Sequence, residues 1–174
     1  MSRRWRSFVP FILAASLALA VFAPVGAVEW PASGGLVVGE IVTGGASGAD
    51  EYVELYNAGA SAESLAGLEL AYVSASGKSV TRKQSWSDGQ VPAGARVLVA
   101  NVDGRHAATA DHTYSGGLSA TGGSVVLRVQ GGAVVDALSW GTAVSAFVEG
   151  SVAAAPAAGS SLEPAGGAVF APAS

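Results

Sequence analysis

Four residues near the start of the strand-rich region have carboxylate side chains that could bind a metal or act in catalysis. Glu40, Asp50, Glu51 and Glu54 carry groups that bind calcium or act as general acids and bases. In an extended strand, however, Glu51 and Glu54 point to opposite faces of a sheet, so one strand does not bring them together. We therefore expect Glu40 and Glu54 to accept hydrogen bonds that hold strand ends. A calcium site at Asp50 and Glu51 is the alternative, and we predict no resident metal.

A polar stretch at residues 101–117 contains Asp103, His106, Asp111 and His112. Such side chains bind zinc, but their spacing matches no zinc motif, which favours a solvated loop. The sequence has no cysteine, which excludes thiolate metal sites and thiol nucleophiles. It also lacks a G-x-S-x-G elbow and a phosphate-binding glycine loop before a helix. We therefore predict no catalytic residue, no cofactor and no enzymatic activity.

Several aromatic residues are candidates for ligand contact. Trp86 and Tyr114, together with Trp30, would offer a binding surface to a sugar or a protein if they are exposed. Trp140 and Tyr52 are instead expected in the core. Exposure of these rings would indicate a binding surface, but the sequence identifies neither their exposure nor the ligand.

The local basic cluster consists of Lys78, Arg82 and Lys83, which we expect in a solvated strand or turn. Contact with nucleic acid through these three residues is the alternative. After loss of an export signal, six of the nine basic residues and all 13 acidic residues remain, which gives a net charge of −7. An acidic chain repels phosphate backbones at long range, so the charge disfavours nucleic acid as a partner.

The first 27 residues have the pattern of an export signal. Arg3, Arg4 and Arg6 precede an uncharged apolar run at 8–23, and small residues at 25–27 suit signal peptidase. The run is shorter than the ~20 residues that a spanning helix needs, so we expect no stable membrane span after cleavage. An uncleaved anchor is the alternative, and the general and twin-arginine routes both stay open. We predict a secreted or cell-envelope protein from an organism with a bacterial-type envelope.

The remainder of the chain shows short runs of period-2 alternation between turn residues, and no long amphipathic helical pattern. This pattern predicts an all-β, antiparallel β-sandwich at 36–164, after a linker at 28–35 and before a disordered tail at 165–174. The glycine pair at 131–132 predicts a tight hairpin. Strands are expected at 36–42, 51–57, 68–73, 80–86 (an edge strand), 96–101, 124–130 and 134–140. The expected core is Val38, Ile41, Val53, Leu55, Leu65, Leu68, Leu70, Val97, Val99, Leu118, Val125, Leu127, Val135, Leu138 and Trp140.

Six segments resemble the lamin tail domain family in the same order along the chain. The most specific is D-E-Y-V-E-L-Y-N at 50–57; the others lie at 38–41, 65–70, 92–101, 134–141 and 159–163. Pro164 departs from the pattern, because the family usually has arginine there. The residues that carry the resemblance are Glu40, Asp50, Glu51, Tyr52, Glu54, Asn57, Gly67, Gly94, Asp136, Trp140, Gly141, Ser161 and Leu162.

The resemblance implies an immunoglobulin-like sandwich with no enzymatic activity of its own. Bacterial members of the family are usually secreted or surface-associated, and many are joined to nucleases, proteases or adhesive modules. We therefore expect a non-catalytic module that binds an extracellular protein, a surface polymer or a second copy of itself. A calcium-stabilised adhesion module and an accessory domain of a nuclease system are the alternatives.

Overall fold

The computed structural model describes residues 35–144, 147 and 152–163. Over these residues the chain forms eleven β-strands and no helix. The strands are β1 (Leu36–Thr43), β2 (Glu51–Asn57), β3 (Glu63–Ser64), β4 (Leu68–Ser74), β5 (Val80–Ser85), β6 (Gln90–Val91), β7 (Arg96–Asn101), β8 (His112–Tyr114), β9 (Gly122–Val129), β10 (Val134–Gly141) and β11 (Ser161–Leu162).

The strands form two main sheets, which confirms the predicted all-β sandwich. The five-stranded sheet has the order β11-β1-β2-β7-β8, and the four-stranded sheet has the order β10-β9-β4-β5. A small third sheet pairs β3 with β6. The seven predicted strands correspond to the seven longest observed ones, with ends that shift by one or two residues. The four short strands were missed because two or three residues are too few to show an alternation.

The hairpin between β9 and β10 is confirmed. Gly131 has a φ of +65°, and the N–H of Gly132 donates to the carbonyl of Val129 at 2.8 Å. One pairing departs from the predicted antiparallel arrangement, because β8 runs parallel to β7. The connection at 102–111 returns the chain to the start of β7, so β8 runs in the same direction as its neighbour.

Aliphatic side chains from both sheets fill the space between them. The predicted core residues belong to this cluster, with Trp140 fully buried, while Leu68, Val135 and Leu138 are only partly buried at its margin. The sequence interpretation missed Leu36, Trp86, Val91 and Tyr114, which are also buried there. A smaller apolar cluster lies on the outer face of the four-stranded sheet, formed by Val73, Val126 and Ala137 with Val134 and Phe147 against them.

The segment at 152–163 lies along the sandwich, as expected for these residues. The N–H of Gly141 donates to the carbonyl of Ala153 at 2.8 Å, and Leu162 pairs with Ile41 on β1. In the part of the chain that the structure covers, no helix has the length and apolar character needed to cross a membrane. The predicted export signal, Trp30, Pro164 and the predicted tail lie outside the described residues.

Candidate functional site

Asp50 joins two loops rather than presenting a free carboxylate. Its Oδ2 accepts the N–H of Ser47 at 2.9 Å, and its Oδ1 accepts the N–H of Arg105 at 3.0 Å. The hydrogen bond from Arg105, followed by that from Ser47, lowers the pKa of Asp50. Both oxygens therefore accept hydrogen bonds from the protein's own backbone.

Glu51 is the buried carboxylate of the family pattern. It lies on the inner face of β2, where it accepts the N–H of Leu118 at 2.8 Å and the Nδ2–H of Asn101 at 3.1 Å. Burial raises the pKa of Glu51, and the two hydrogen bonds act against that shift. We expected Glu40 and Glu54 to accept backbone or hydroxyl hydrogen bonds, and Glu40 does accept the hydroxyl of Tyr52. Glu54 instead accepts a hydrogen bond from Arg96 at 2.7 Å, and it is Glu51 that holds a main-chain group.

Asn57, Asp136 and Trp140 also bind the chain's own main-chain groups. The side-chain amide of Asn57 donates to the carbonyls of Ser61 and Val91, each at 2.8 Å. Asp136 accepts the N–H of Val38 at 2.5 Å and so joins the two sheets. The indole of Trp140 donates to the carbonyl of Ser119 at 2.9 Å. These family residues thus bind main-chain groups of the fold.

Gly141 is required by both conformation and space. Its φ is +62°, and a Cβ at this position would lie 2.0 Å from the carbonyl oxygen of Thr121. Only glycine fits such a close backbone approach at positive φ without strain.

Lys83 is buried, so its predicted place in a solvated cluster was wrong. A β-bulge in the pairing of β4 with β5 leaves Lys83 unpaired and turns its side chain inward. The ammonium donates to the carbonyls of Ser115, Gly116 and Gly117 at 2.9–3.3 Å, and lies 4.9 Å from the ring centroid of Tyr114. Burial lowers the pKa of Lys83, and nearby Glu51 acts against this.

Lys83 therefore bridges the open side of the sandwich, where the edge strands β5 and β8 of opposite sheets contact each other. An inward-pointing charge next to a bulge also protects an edge strand against extension by another chain. Lys78 and Arg82 are exposed, as expected, and Arg82 lies 3.8 Å from Glu69. Because Lys83 points inward and Arg82 outward, the basic cluster predicted as a nucleic-acid contact does not form one surface.

The predicted aromatic contacts are corrected as well. Trp86 and Tyr114 are only 5% and 3% exposed, and they belong to the core rather than to an exposed platform. Within the described ranges, the indole N–H of Trp86 and the hydroxyl of Tyr114 have no hydrogen-bond partner. Tyr52 was expected in the core, but it is half-buried on the outer face of the five-stranded sheet, with its ring against His106.

The polar loop at 101–117 shows no metal geometry. Asp111 accepts the N–H of Leu98 at 2.8 Å, and the two histidines contact Tyr52 and Trp86 separately. Among the described residues, no three histidine, aspartate or glutamate side chains come close enough together to hold a metal ion.

An open groove of about 440 Å³ lies between the two sheets, where the chain leaves the C-terminal end of β5. Its lining combines the aromatic rings of Trp86 and His112 with the polar side chains of Asp88, Gln90, Asp111 and Arg96. The two rings meet edge to face, with centroids 5.6 Å apart. Because Trp86 is almost fully buried, the aromatic surface that the groove offers is mainly the half-buried ring of His112. Concave surfaces that combine apolar and polar side chains are common ligand sites. We call this feature the edge groove.

The sequence contained a weak signal for the edge groove. The run S-W-S-D-G at 85–89 places a tryptophan next to turn residues, which indicates a loop near apolar packing. Nothing local connects that run to His112, because their contact depends on how the two sheets face each other.

A search of curated proteins found no match to this chain. The model of the Lamin Tail Domain family matches residues 30–142, a segment that contains β1 to β10. This domain is an immunoglobulin-like structural module that is generally non-enzymatic, in agreement with the observed sandwich. Because the match covers more than half of its length, this chain belongs to the lamin tail domain family.

Proposed function

We propose that this chain is an exported, non-catalytic binding module that holds an extracellular protein or surface polymer in its edge groove. The observation that carries the proposal is the groove itself, where Trp86 and His112 meet from opposite sheets beside the polar side chains of Asp88, Gln90, Asp111 and Arg96. The carboxylates and amides of the family pattern act elsewhere, on main-chain groups of the fold. The fold does not use all of the polar groups in the edge groove, so some of them can bind a partner.

The chemistry of the described residues supports a binding role over catalysis. Glu51 and Asp50 accept structural hydrogen bonds, and the only buried lysine of the described region donates to three carbonyls. A nucleophile next to a general base would be expected in a hydrolase. In the edge groove the hydroxyl of Ser87 donates to Asp88 at 3.4 Å, and the ring of His112 packs against Trp86, an arrangement that differs from a serine paired with a histidine base.

Export is supported by the N-terminal pattern of three arginines, an apolar run and small residues. Expression of the full chain in a bacterium that secretes proteins, followed by N-terminal sequencing of the product, tests it. We expect the mature protein to begin at Val28. Retention of Met1 in the cell pellet would contradict a cleaved signal.

The groove is tested by the binding of envelope proteins and envelope polysaccharides, each immobilised separately. Gln90→Ala changes the groove wall at an exposed side chain, and His112→Ala also removes a ring that packs against Trp86 of the core, so urea unfolding of each variant accompanies the binding measurement. Lys78→Ala is the matched control in the exposed β4–β5 turn. We expect the two groove variants to weaken binding by about fivefold or more, and the control to leave it unchanged.

Three results would count against the proposal. Equal binding by all variants excludes the groove, and no retention of either class of envelope component excludes a binding role there. Hydrolysis of any envelope component by the purified protein would contradict the non-catalytic assignment.

A further inference from the structure

We propose that Asp88 is a site of spontaneous covalent modification, at which the link between Asp88 and Gly89 becomes an isoaspartyl linkage through a succinimide ring. The dipeptide Asp-Gly occurs twice in the sequence, at residues 88–89 and 103–104. The reaction needs a backbone nitrogen that can reach the carboxyl group of the preceding residue, and glycine favours it because no side chain shields that nitrogen. Both copies have the same chemistry, so the fold decides which of them reacts.

The reaction closes one ring and releases one water. The main-chain nitrogen of Gly89 attacks Cγ of Asp88, the N–Cγ bond forms, and one Cγ–O bond breaks, so that the proton of the nitrogen leaves with the hydroxyl as water. A second water then opens the ring at either carbonyl. Opening at Cγ restores aspartate, whereas opening at the main-chain carbonyl carbon leaves the backbone running through Cγ as isoaspartate. Water is the only co-reactant of this sequence.

The turn after β5 leaves both reacting groups free. Ser87, Asp88 and Gly89 are all exposed. Within the described part of the chain, the carboxylate of Asp88 accepts one hydrogen bond, a long one from the hydroxyl of Ser87 at 3.4 Å. The N–H of Gly89 donates to no acceptor among those same residues. The carboxyl group and the nitrogen can therefore approach each other without breaking a main-chain hydrogen bond.

The residues on either side of this turn are anchored, which keeps the two groups together. The N–H of Trp86 donates to the carbonyl of Leu68, and the carbonyl of Gly89 accepts the N–H of Leu65, each at 3.0 Å. A Cβ added at Gly89 would meet only the side chain of Leu65, at 3.6 Å. Space thus remains around the nitrogen that attacks.

The second Asp-Gly is held by the fold. The N–H of Gly104 donates to the carbonyl of Asn101 at 3.0 Å. A Cβ added at Gly104 would lie 2.0 Å from the carbonyl oxygen of Ala49, so two loop backbones pack directly on each other there. Asp103 can react only after this turn opens locally and gives up its hydrogen bond. The loss of one such hydrogen bond slows a reaction by about fivefold.

Isomerisation at Asp88 would change the wall of the edge groove, a consequence that rests on the function proposed above. Asp88 lines the groove. An isoaspartate adds one methylene to the backbone and moves the carboxylate to the neighbouring carbon, so the wall changes shape while its charge stays the same. We therefore expect the groove to lose affinity for its partner as the protein ages.

The test incubates the folded, full-length protein near pH 6 at physiological temperature, beside a sample unfolded in concentrated guanidinium chloride. Trypsin cleavage after Lys83, Arg96 and Arg105 places the two sites in separate peptides, 84–96 and 97–105. Mass spectrometry detects the succinimide as a peptide that is one water lighter. Isoaspartate appears as a peptide of unchanged mass that elutes separately.

In the folded protein, we expect Asp88 to isomerise at least about fivefold faster than Asp103. In guanidinium chloride the two rates should agree within about twofold, because the unfolded chain protects neither nitrogen. Asp88→Glu is the matched variant, since glutamate keeps the charge but would have to form a less favourable six-membered ring. Its peptide 84–96 should stay unmodified.

Equal rates at the two sites of the folded protein, a faster reaction at Asp103, or no isomerisation at Asp88 would overturn the proposal. A ratio of the two rates that is the same in the folded and unfolded samples would overturn it too, because the flanking sequence rather than the fold would then set the rates.

Binding is a separate readout. The parent should bind the envelope component retained in the groove test less tightly after ageing than before, whereas the binding of Asp88→Glu should not change with age. Isomerisation that leaves the binding of the parent unchanged would overturn the consequence for the groove. Isomerisation at Asp88 in a protein that retains no envelope component would support the modification and count against the edge groove as a binding site, so the failures of the two proposals are distinguishable.

Discussion

The carboxylate of Glu51 accepts the main-chain N–H of Leu118 at 2.8 Å, although 67 residues separate the two in the sequence. The same carboxylate holds the side-chain amide of Asn101 on the neighbouring strand β7. Lys83 binds the carbonyls of residues 115–117, and Glu51 binds the next residue, Leu118. Glu51 thus holds this segment against the inner face of the five-stranded sheet.

Glu51→Ala should therefore destabilise the domain strongly. The substitution leaves the N–H of Leu118 and the amide of Asn101 without an acceptor in a buried place, which costs about 2–4 kcal/mol. Urea unfolding at pH 7 measures the change. Asp88→Asn, on the exposed turn after Trp86, is the control, and it should stay within about 0.5 kcal/mol of the parent. Equal stability of Glu51→Ala and the parent would contradict the structural role of Glu51.

Lys83→Met should loosen the segment at 115–117. The ammonium of Lys83 binds three successive carbonyls, and methionine of similar length restores none of those bonds. We expect a loss of about 1–3 kcal/mol and faster hydrogen exchange at residues 115–118. Lys83→Arg keeps the charge and should lose less. Unchanged exchange in Lys83→Met would show that other contacts hold this segment.

Gly141→Ala and Gly131→Ala separate steric clash from backbone conformation. Both glycines have a φ above +60°, but an added Cβ at Gly141 meets a carbonyl oxygen at 2.0 Å, while nothing lies within 4 Å at Gly131. Alanine at Gly131 should cost about 1–2 kcal/mol from its left-handed conformation alone. Alanine at Gly141 should cost about 3 kcal/mol or more, because the backbone must also move. Thermal unfolding of both variants tests the order.

Trp140→Phe should be more damaging than Trp86→Phe. Both changes remove a similar volume from the core, but only the indole of Trp140 donates a hydrogen bond, to the carbonyl of Ser119 at 2.9 Å. The indole N–H of Trp86 has no partner among the residues described, so its loss is not penalised. We expect a difference of about 1 kcal/mol between the two variants in urea unfolding. The reverse order would indicate that the N–H of Trp86 is bonded in solution.

Asp50 should contribute to the pH dependence of stability. Its pKa is lowered below the ordinary 3.8 in the folded protein, so its ionised form is the one that folding favours. The contribution is present above about pH 4 and is lost as the pH falls through the folded-state pKa. The stability difference between the parent and Asp50→Asn should therefore be largest near pH 7 and smaller at pH 3. A difference that grows towards pH 3 would contradict this assignment.

Much of the fold could be predicted from local pattern. Val125 and Leu127 alternate with Val126 along β9, and Gly131 and Gly132 mark the turn that follows, so strand and hairpin were both recognisable. Burial was harder to predict where the alternation is broken. Lys83 lies in a polar run whose sequence resembles a solvated edge, and only the bulge against β4 reverses the direction of its side chain.

The sequence by itself determined the all-β class, the seven long strands, most of the aliphatic core and the family, because each follows from periodicity, turn residues or ordered motifs over short distances. Only the tertiary structure decided that Glu51 holds the N–H of Leu118, that Trp86 and Tyr114 are buried, and where the edge groove lies. These features depend on strand register and on how two sheets face each other. Contacts between residues far apart in the chain set both, and no local pattern records them.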